Sequence, residues 1–477
     1  MSKQPDNTGQ KIREMKKYGI TLLVSCLLCG GVQAGDYAHL YQNLPEPQVP
    51  QIPVTRVSLL DFGGCPDGIS LNTEAFRKAV SALEKQGGGH LDVPAGIWLT
   101  GPIGLKSRID LHLDRGAIIL FTPEKEAFLK DGKMVPGITA SKREDVSITG
   151  EGVIDGNGEW WRAVKRGKVS DTEWKDYLRM GGTVAEEGSL WYPFDLTHFP
   201  NVAPSYREQE RLRTHLVRFT DCKRVLVQGV TLQNSPKFHL VPQRCQQVII
   251  DGVTVRCPWN AQNGDGIDLM NSQDVLVTRC TVDVGDDGIC LKGGAGEAGV
   301  KAGPCARILI CDNTVFHAHG GFVIGSEFSG GMEDILVQRN VFSGTDTGLR
   351  FKSGPGRGGR TKNVVVSDIV MSDIRDEAVV FETVYQNASV GEAPDVARTQ
   401  AFQPAFTGIR MSRITCRDAR VAVAVRGTLA TVFDNILEDS TFFYSEQGAL
   451  LPEEGMIRFC DVTLRTYETV KESQNGN

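Results

Sequence analysis

The sequence is poor in metal-binding patterns. Twelve cysteines, less Cys26 and Cys29, leave ten beyond residue 34, and these include no C-x-x-C pair and no His/Cys metal spacing. A structural zinc site is therefore not expected, and most of these cysteines read as small buried apolar residues. The chain also lacks an excess of positive charge. Its 52 Lys and Arg against 58 Asp and Glu give a net charge of −6, so neither nucleic acid nor an anionic membrane is an expected partner. An anionic ligand would need a local basic patch working against that global sign.

A membrane-spanning run is missing as well. The apolar stretch from Tyr18 to Gly31 is too short to cross a bilayer once cut. It follows Lys16 and Lys17 and precedes V-Q-A before Gly35, which is the layout of an export signal over residues 1–34, with Met15 as an alternative start. The expectation is an exported protein, periplasmic or secreted. A lipobox ending at Cys26 is the weaker alternative. Residues 35–53 read as a linker and 466–477 as a polar tail.

No helical period survives across the middle of the chain. What recurs instead is one unit: "VLVQGVTL" from Val225, "VIIDGVTV" from Val248, "VLVTRCTV" from Val275, "ILICDNTV" from Ile308, "ILVQRNVF" from Ile335 and "VVVSDIVM" from Val364. Each alternates with period two and slips phase once, so two short strands meet at a bend. Such a unit cannot bury its own apolar side, but stacked copies can. The expected fold is all-β: one right-handed parallel β-helix over residues 54–465, with further turns at 108–121, 146–156, 408–416 and 432–444. Asn313 and Asn340 fall at the phase slip of adjacent units and read as a structural ladder. Residues 72–89 carry Ala75, Phe76, Ala79, Val80 and Leu83 at helical spacing, with Asn72 as a candidate N-cap and Gly87 as a stop. An amphipathic helix there would cap the open end of the stack.

A third strand in each unit aligns as D-G-I-x-L (265–269), D-G-I-x-L (287–291), G-G-F-x-I (320–324), T-G-L-x-F (347–351) and E-A-V-x-F (377–381). Neighbouring parallel strands lie about 4.8 Å apart, so this register stacks Asp265 on Asp287. It brings Asp286, His319, Arg350 and Lys352 to the same patch. Asp286 and Asp287 can share that patch only if the chain bends, which Gly285 and Gly288 are expected to ease. A lone Asp beside Gly is ordinarily a turn residue. Three stacked carboxylates repel one another, however, and call for a metal or a task. Clustering also separates their proton affinities, which suits acid–base hydrolysis of a glycosidic bond. Asp268 follows the outward parity of its row and is read as having no role.

These segments, "NGD" (263–265), "GDD" (285–287), "AHGG" (318–321) and "RFK" (350–352), resemble the ordered motifs of glycoside hydrolase family 28, the polygalacturonases and their relatives. The resemblance covers most of residues 54–445. It implies a pectin-lyase-like solenoid acting on a pectic polysaccharide, with no metal or cofactor. It further implies Asp286 as general acid, Asp265 and Asp287 as activators of water, and His319 as a group that tunes the acid. Arg350 and Lys352 would bind a substrate carboxylate. Inversion would require carboxylates about 6.5–9.5 Å apart. Gly264 and Ala318 depart from the family pattern, the first expected to loosen the turn at Asp265 and the second to narrow the approach to His319. Asn263, Lys237 and His239 are further candidates for substrate contact.

Residues 157–213 break the rhythm and carry Trp160, Trp161, Trp174, Trp191 and Tyr192. Such rings in a long loop more often pack the loop down than stack on sugar. If the loop walled off one end of the groove, action from a chain end would follow. Rhamnogalacturonan or another galacturonide linkage is the alternative substrate, a calcium-dependent lyase the rival enzyme, and a non-catalytic carbohydrate-binding β-helix the rival outside enzymes. A capped β-helix is expected to be monomeric.

Overall fold

The computed structural model describes residues 47–194, 208, 212–385 and 400–466. The expected export signal, most of the linker and the tail beyond residue 466 lie outside them. No helix among the described residues is long and apolar enough to cross a membrane.

From Arg56 to Thr466 the chain winds into a right-handed parallel β-helix, each strand hydrogen-bonded to its equivalent in the neighbouring coil. The file that carries the site contains β1 (Val217–Thr220), β2 (Leu240–Gln243), β3 (Ile267–Met270), β4 (Asp287–Lys292), β5 (Gly320–Ile324), β6 (Leu349–Lys352) and β7 (Ile374–Glu382). Its register is the one the sequence implies. Ile267, Ile289, Phe322, Leu349 and Val379 form one row, and Leu269, Leu291, Ile324, Phe351 and Phe381 another. Both rows point inward and are fully buried. Burying a side chain of this size contributes about 1.5–3 kcal/mol, so each strand is pinned at two places. The residue between the pins is thereby held outward, toward the site.

At the bend between the first two strands of the coil, Asn340 Oδ1 accepts from Asn313 N and Nδ2, both at 2.9 Å, and Asn313 Oδ1 accepts from Cys280 N at 2.9 Å. The ladder satisfies backbone groups that the phase slip leaves without partners. Phe351 stacks on Phe381 at 4.5 Å inside the core. All ten cysteines of the described residues are unbridged, and most are buried.

Helix α1 (Thr73–Lys85) covers the N-terminal end with the five apolar residues expected of it, all buried. Asn72 does not cap it. Its side chain accepts from Cys65 N at 2.7 Å and donates to Ser70 O and Leu99 O, tying the helix to the preceding loop and the first coils instead.

The described part of the insertion folds as helix α2 (Asp171–Arg179), started by a Ser170–Glu173 capping box, and a small antiparallel sheet of Val164–Lys165, Leu190–Tyr192 and Thr183–Ala185. Trp161, Trp191 and Tyr192 are buried, Trp174 is half-buried and Trp160 is exposed. The rings therefore mainly hold the insertion together. Arg162 docks it to Ser235 O and Asn234 Oδ1, Gln262 Nε2 donates to Ala163 O, and Lys168 reaches the coil of Gly285. The insertion thus runs along one long side of the groove.

Candidate active site

Asp265 and Asp286 stand just ahead of β3 and β4, and Asp287 opens β4. One oxygen from each of these three carboxylates lies within 4.8 Å of the others. The glycines around them are needed for close approach. A Cβ at Gly285 would sit 2.6 Å from Ala261 O, and one at Gly288 would sit 2.7 Å from Val315 Cγ1. Neither has a positive φ, so the expected easing of a bend is not their role. Gly264 is similar. A Cβ there would meet Cys257 Sγ at 2.8 Å, so the turn before Asp265 is tight rather than loosened.

Asp286 accepts from Asn263 N at 3.1 Å, from Asp287 N at 3.1 Å, and lies 3.0 Å from His319 Nδ1. The far nitrogen of that ring, Nε2, is 3.1 Å from Lys168 Nζ. An ammonium has only protons to offer, so Nε2 accepts and the ring proton sits on Nδ1, directed at Asp286. Burial would raise the Asp286 pKa, but the His319 hydrogen bond and the positive charges around it outweigh burial and hold it below the usual carboxylate range.

Lys292 lies buried under the other carboxylates, with Nζ 3.2 Å from Asp265, 3.1 Å from Asp268 and 3.8 Å from Asp287. Lys352 donates to both oxygens of Asp287 at 3.0 and 2.8 Å, and Arg350 approaches it at 3.8 Å. Burial, reinforced by the charge on Asp268, pushes Asp265 well above the carboxylate range. Burial likewise pushes Asp268 up to about 6. Burial also works on Asp287, but the Lys352 ammonium wins and keeps it low. The free site therefore holds its proton on Asp265 and leaves Asp286 and Asp287 ionised. Three such carboxylates could ligate a cation; here the two ammonium groups supply positive charge to the cluster.

Several expectations need correction. Asp268 is outward, but outward on this file means into the cluster, where Lys292 covers it. Lys352 is engaged with Asp287, which leaves Arg350 the more open of the pair. His239 cannot touch substrate. It is fully buried, donating through Nδ1 to Asp265 O at 2.9 Å and accepting from Ser235 N at 3.2 Å, so it positions the Asp265 turn. Burial lowers its pKa to about 4, consistent with a neutral ring. Asn263 is exposed and steadied by Arg213 at 2.9 Å, while Lys237 is half-buried over Phe238. Lys292 was legible in principle, since it shares a row with Lys352. Lys168 and Tyr385, whose ring lies 5.8 Å from Arg350 and 5.4 Å from Lys352, had no periodic signal.

Beside the cluster a cavity of about 320 Å³ is lined by His319, Asp346, Arg350, Asp376, Glu377 and Arg420, among others. Asp286 faces the open side with 19% of its side chain exposed, against 3% for Asp265 and 2% for Asp287. One carboxylate at the surface and two behind it can give a proton and hold a water.

The sequence pattern of the glycosyl hydrolases family 28 matches residues 178–425. The chain belongs to glycoside hydrolase family 28. Among relatives, a probable polygalacturonase of Vitis vinifera is 27% identical over 80% of this chain and 72% of its own length. The exo-poly-alpha-D-galacturonosidase of Dickeya chrysanthemi is 27% identical over 71% of this chain and 59% of its own. A hyperthermoactive exopolygalacturonase from Thermotoga maritima superposes with a TM-score of 0.71 at 30% identity, covering 91% of this chain and 96% of that one. The parallel β-helix agrees with these matches.

Proposed function

We propose that this family 28 hydrolase cleaves α-1,4-linked galacturonic acid in pectin, from a chain end or in short oligomers, with inversion at the anomeric carbon. One observation carries the reading: Asp286 is the most exposed of the three clustered carboxylates, hydrogen-bonded by His319, with Asp265 and Asp287 behind it and the Arg350 guanidinium 3.8 Å from Asp287. Asp286 gives its proton to the glycosidic oxygen as the C1–O bond breaks. A water held by Asp265 and Asp287 attacks C1 from the opposite face and loses its proton to the ionised Asp287.

Asp286 is ionised in the free site and must gain a proton to act. A sugar carboxylate arriving at Arg350 adds negative charge to the cluster, which raises the proton affinity of the carboxylates already there. Action from a chain end is supported by the activities for which the Dickeya and Thermotoga relatives are named. Residues 15–34 support export, which cell fractionation tests, and size-exclusion chromatography tests the monomer.

The deciding experiment incubates the protein with polygalacturonate and with rhamnogalacturonan I and separates products by size. Small products from polygalacturonate at the earliest times are expected. Mixed long oligomers would replace chain-end action by internal cleavage, and products from rhamnogalacturonan alone would replace the substrate. Proton NMR should show the β-anomer first. Asp286→Asn should lower kcat by about 10²–10⁴-fold while oligogalacturonide binding survives.

A further inference from the structure

Between the insertion and the β-helix lies a second cavity, which shares no lining residue with the one beside the carboxylate cluster. It measures about 380 Å³ and is walled by Trp160, Tyr177, Met180 and Trp191 of the insertion and by Pro258 and Ala261 of the β-helix, among others. That is the size of a small-molecule pocket, and an aromatic, apolar lining is what such pockets carry. Part of the lining is already fixed. The rings of Tyr177 in α2 and Trp191 lie 4.9 Å apart, tilted by 44°, and pack with Val164 and Val169. Trp160 and Met180 are instead 49% and 74% exposed, so they stand on the solvent side.

What the cavity can hold follows from its polar groups. Trp191 Nε1 donates to Gly181 O at 2.7 Å, and Asn260 Nδ2 donates to the Tyr177 hydroxyl at 3.4 Å. Arg162 donates to Ser235 O and to Asn234 Oδ1, while Glu159 accepts from Asn234 Nδ2. A sugar ring would bring several hydroxyls and find these partners engaged, and a hydroxyl buried without a hydrogen bond is costly. Among the described residues of the lining the charges are one acid, Glu159, and one base, Arg162, so the cavity does not select an ion. A flat apolar group meets neither obstacle. It gains from ring contacts with the tryptophans and from the Met180 sulfur.

We propose that this cavity is a binding site for an uncharged aromatic ring, of the kind a phenolic acyl ester carries. The inference goes beyond the hydrolase reading and does not depend on which glycosidic bond is cut. The site backs onto the catalytic one. Pro258, Asn260 and Ala261 form one of its walls, and two residues further along the same turn Asn263 N donates to Asp286 at 3.1 Å. A free phenolic ester and an acyl group carried on a polysaccharide present the same ring to it.

The test measures binding to the full-length protein by calorimetry and by quenching of tryptophan fluorescence. The probes are methyl 4-hydroxycinnamate, the 4-hydroxycinnamate anion and methyl galactopyranoside. The ester should bind with a Kd at or below about 1 mM, and the other two at least about tenfold more weakly. Trp160→Ala should weaken the ester at least about tenfold without lowering Tm, and Trp160→Phe should restore most of the loss. Met180→Lys, at a position 74% exposed, should weaken it likewise. No saturable binding of the ester, binding that both variants leave untouched, or tighter binding of the sugar would each overturn the site. The source of the ring is read with Asp286→Asn protein and an oligogalacturonide with and without the acyl group. A gain of at least about tenfold from the acyl group supports the site as one for a substituent of the polysaccharide; no gain, with the free ester still bound, supports it as one for a free phenolic.

Discussion

Lys168 Nζ, carried by the insertion, meets His319 Nε2, carried by the β-helix, at 3.1 Å. The contact sets which ring nitrogen faces Asp286, so a segment outside the repeat completes the acid end of the site. A hydrogen bond to a charged group contributes about 1.5–3 kcal/mol. Lys168→Met is therefore expected to lower kcat at least about tenfold with a smaller change in KM. Removing a cation near Asp286 makes its proton harder to lose, so the alkaline limb of the pH–rate profile, where this general acid loses its proton, should move to higher pH. A limb that stays in place would show that the lysine only anchors the insertion.

Lys292 touches three carboxylates from buried surroundings. Removing one partner of a buried ionic cluster costs about 3–5 kcal/mol, and Lys292→Met should lose that much stability near neutral pH. The loss should shrink in acid, where protons replace the missing ammonium. Urea unfolding at two pH values checks both statements, and a pH-independent loss would contradict the second.

Asp268 has its pKa raised from 3.8 to about 6. The native state binds this proton more tightly than the unfolded state. Its contribution to stability is thus complete below 3.8 and lost as pH rises through about 6. Asp268→Asn should flatten the stability profile across that window, read from urea midpoints. A profile as steep as the wild type would assign the titration to another group.

Asn340→Ala removes the acceptor of both Asn313 nitrogens. Leaving a buried donor unmet costs about 1–3 kcal/mol, which should appear as a lower Tm with unchanged kcat in the folded fraction. A large fall in kcat would give the ladder a role beyond support.

The residues that carried the fold were those under a strict period. Ile267, Ile289 and Phe322 had to stack because any slip of one residue would turn them to solvent, and that stacking brought Asp265, Asp286, Asp287 and His319 together. Parity told which way Asp268 pointed but not what lay over it. The surface it faces is concave and roofed by Lys292, a residue from the next coil. His239 was misjudged for a related reason, since only the course of the 234–240 turn decides whether its ring faces the groove or the Asp265 carbonyl.

Alternation along the chain therefore determined the solenoid, its register and the meeting of the carboxylates, because burial of apolar rows leaves a strand one orientation. The tertiary structure alone decided which ammonium neutralises which acid, which protons stay bound, and that Lys168 closes the acid end. Those depend on distances of a few ångströms between side chains from separate coils and an aperiodic insertion, where no repeat constrains what meets what.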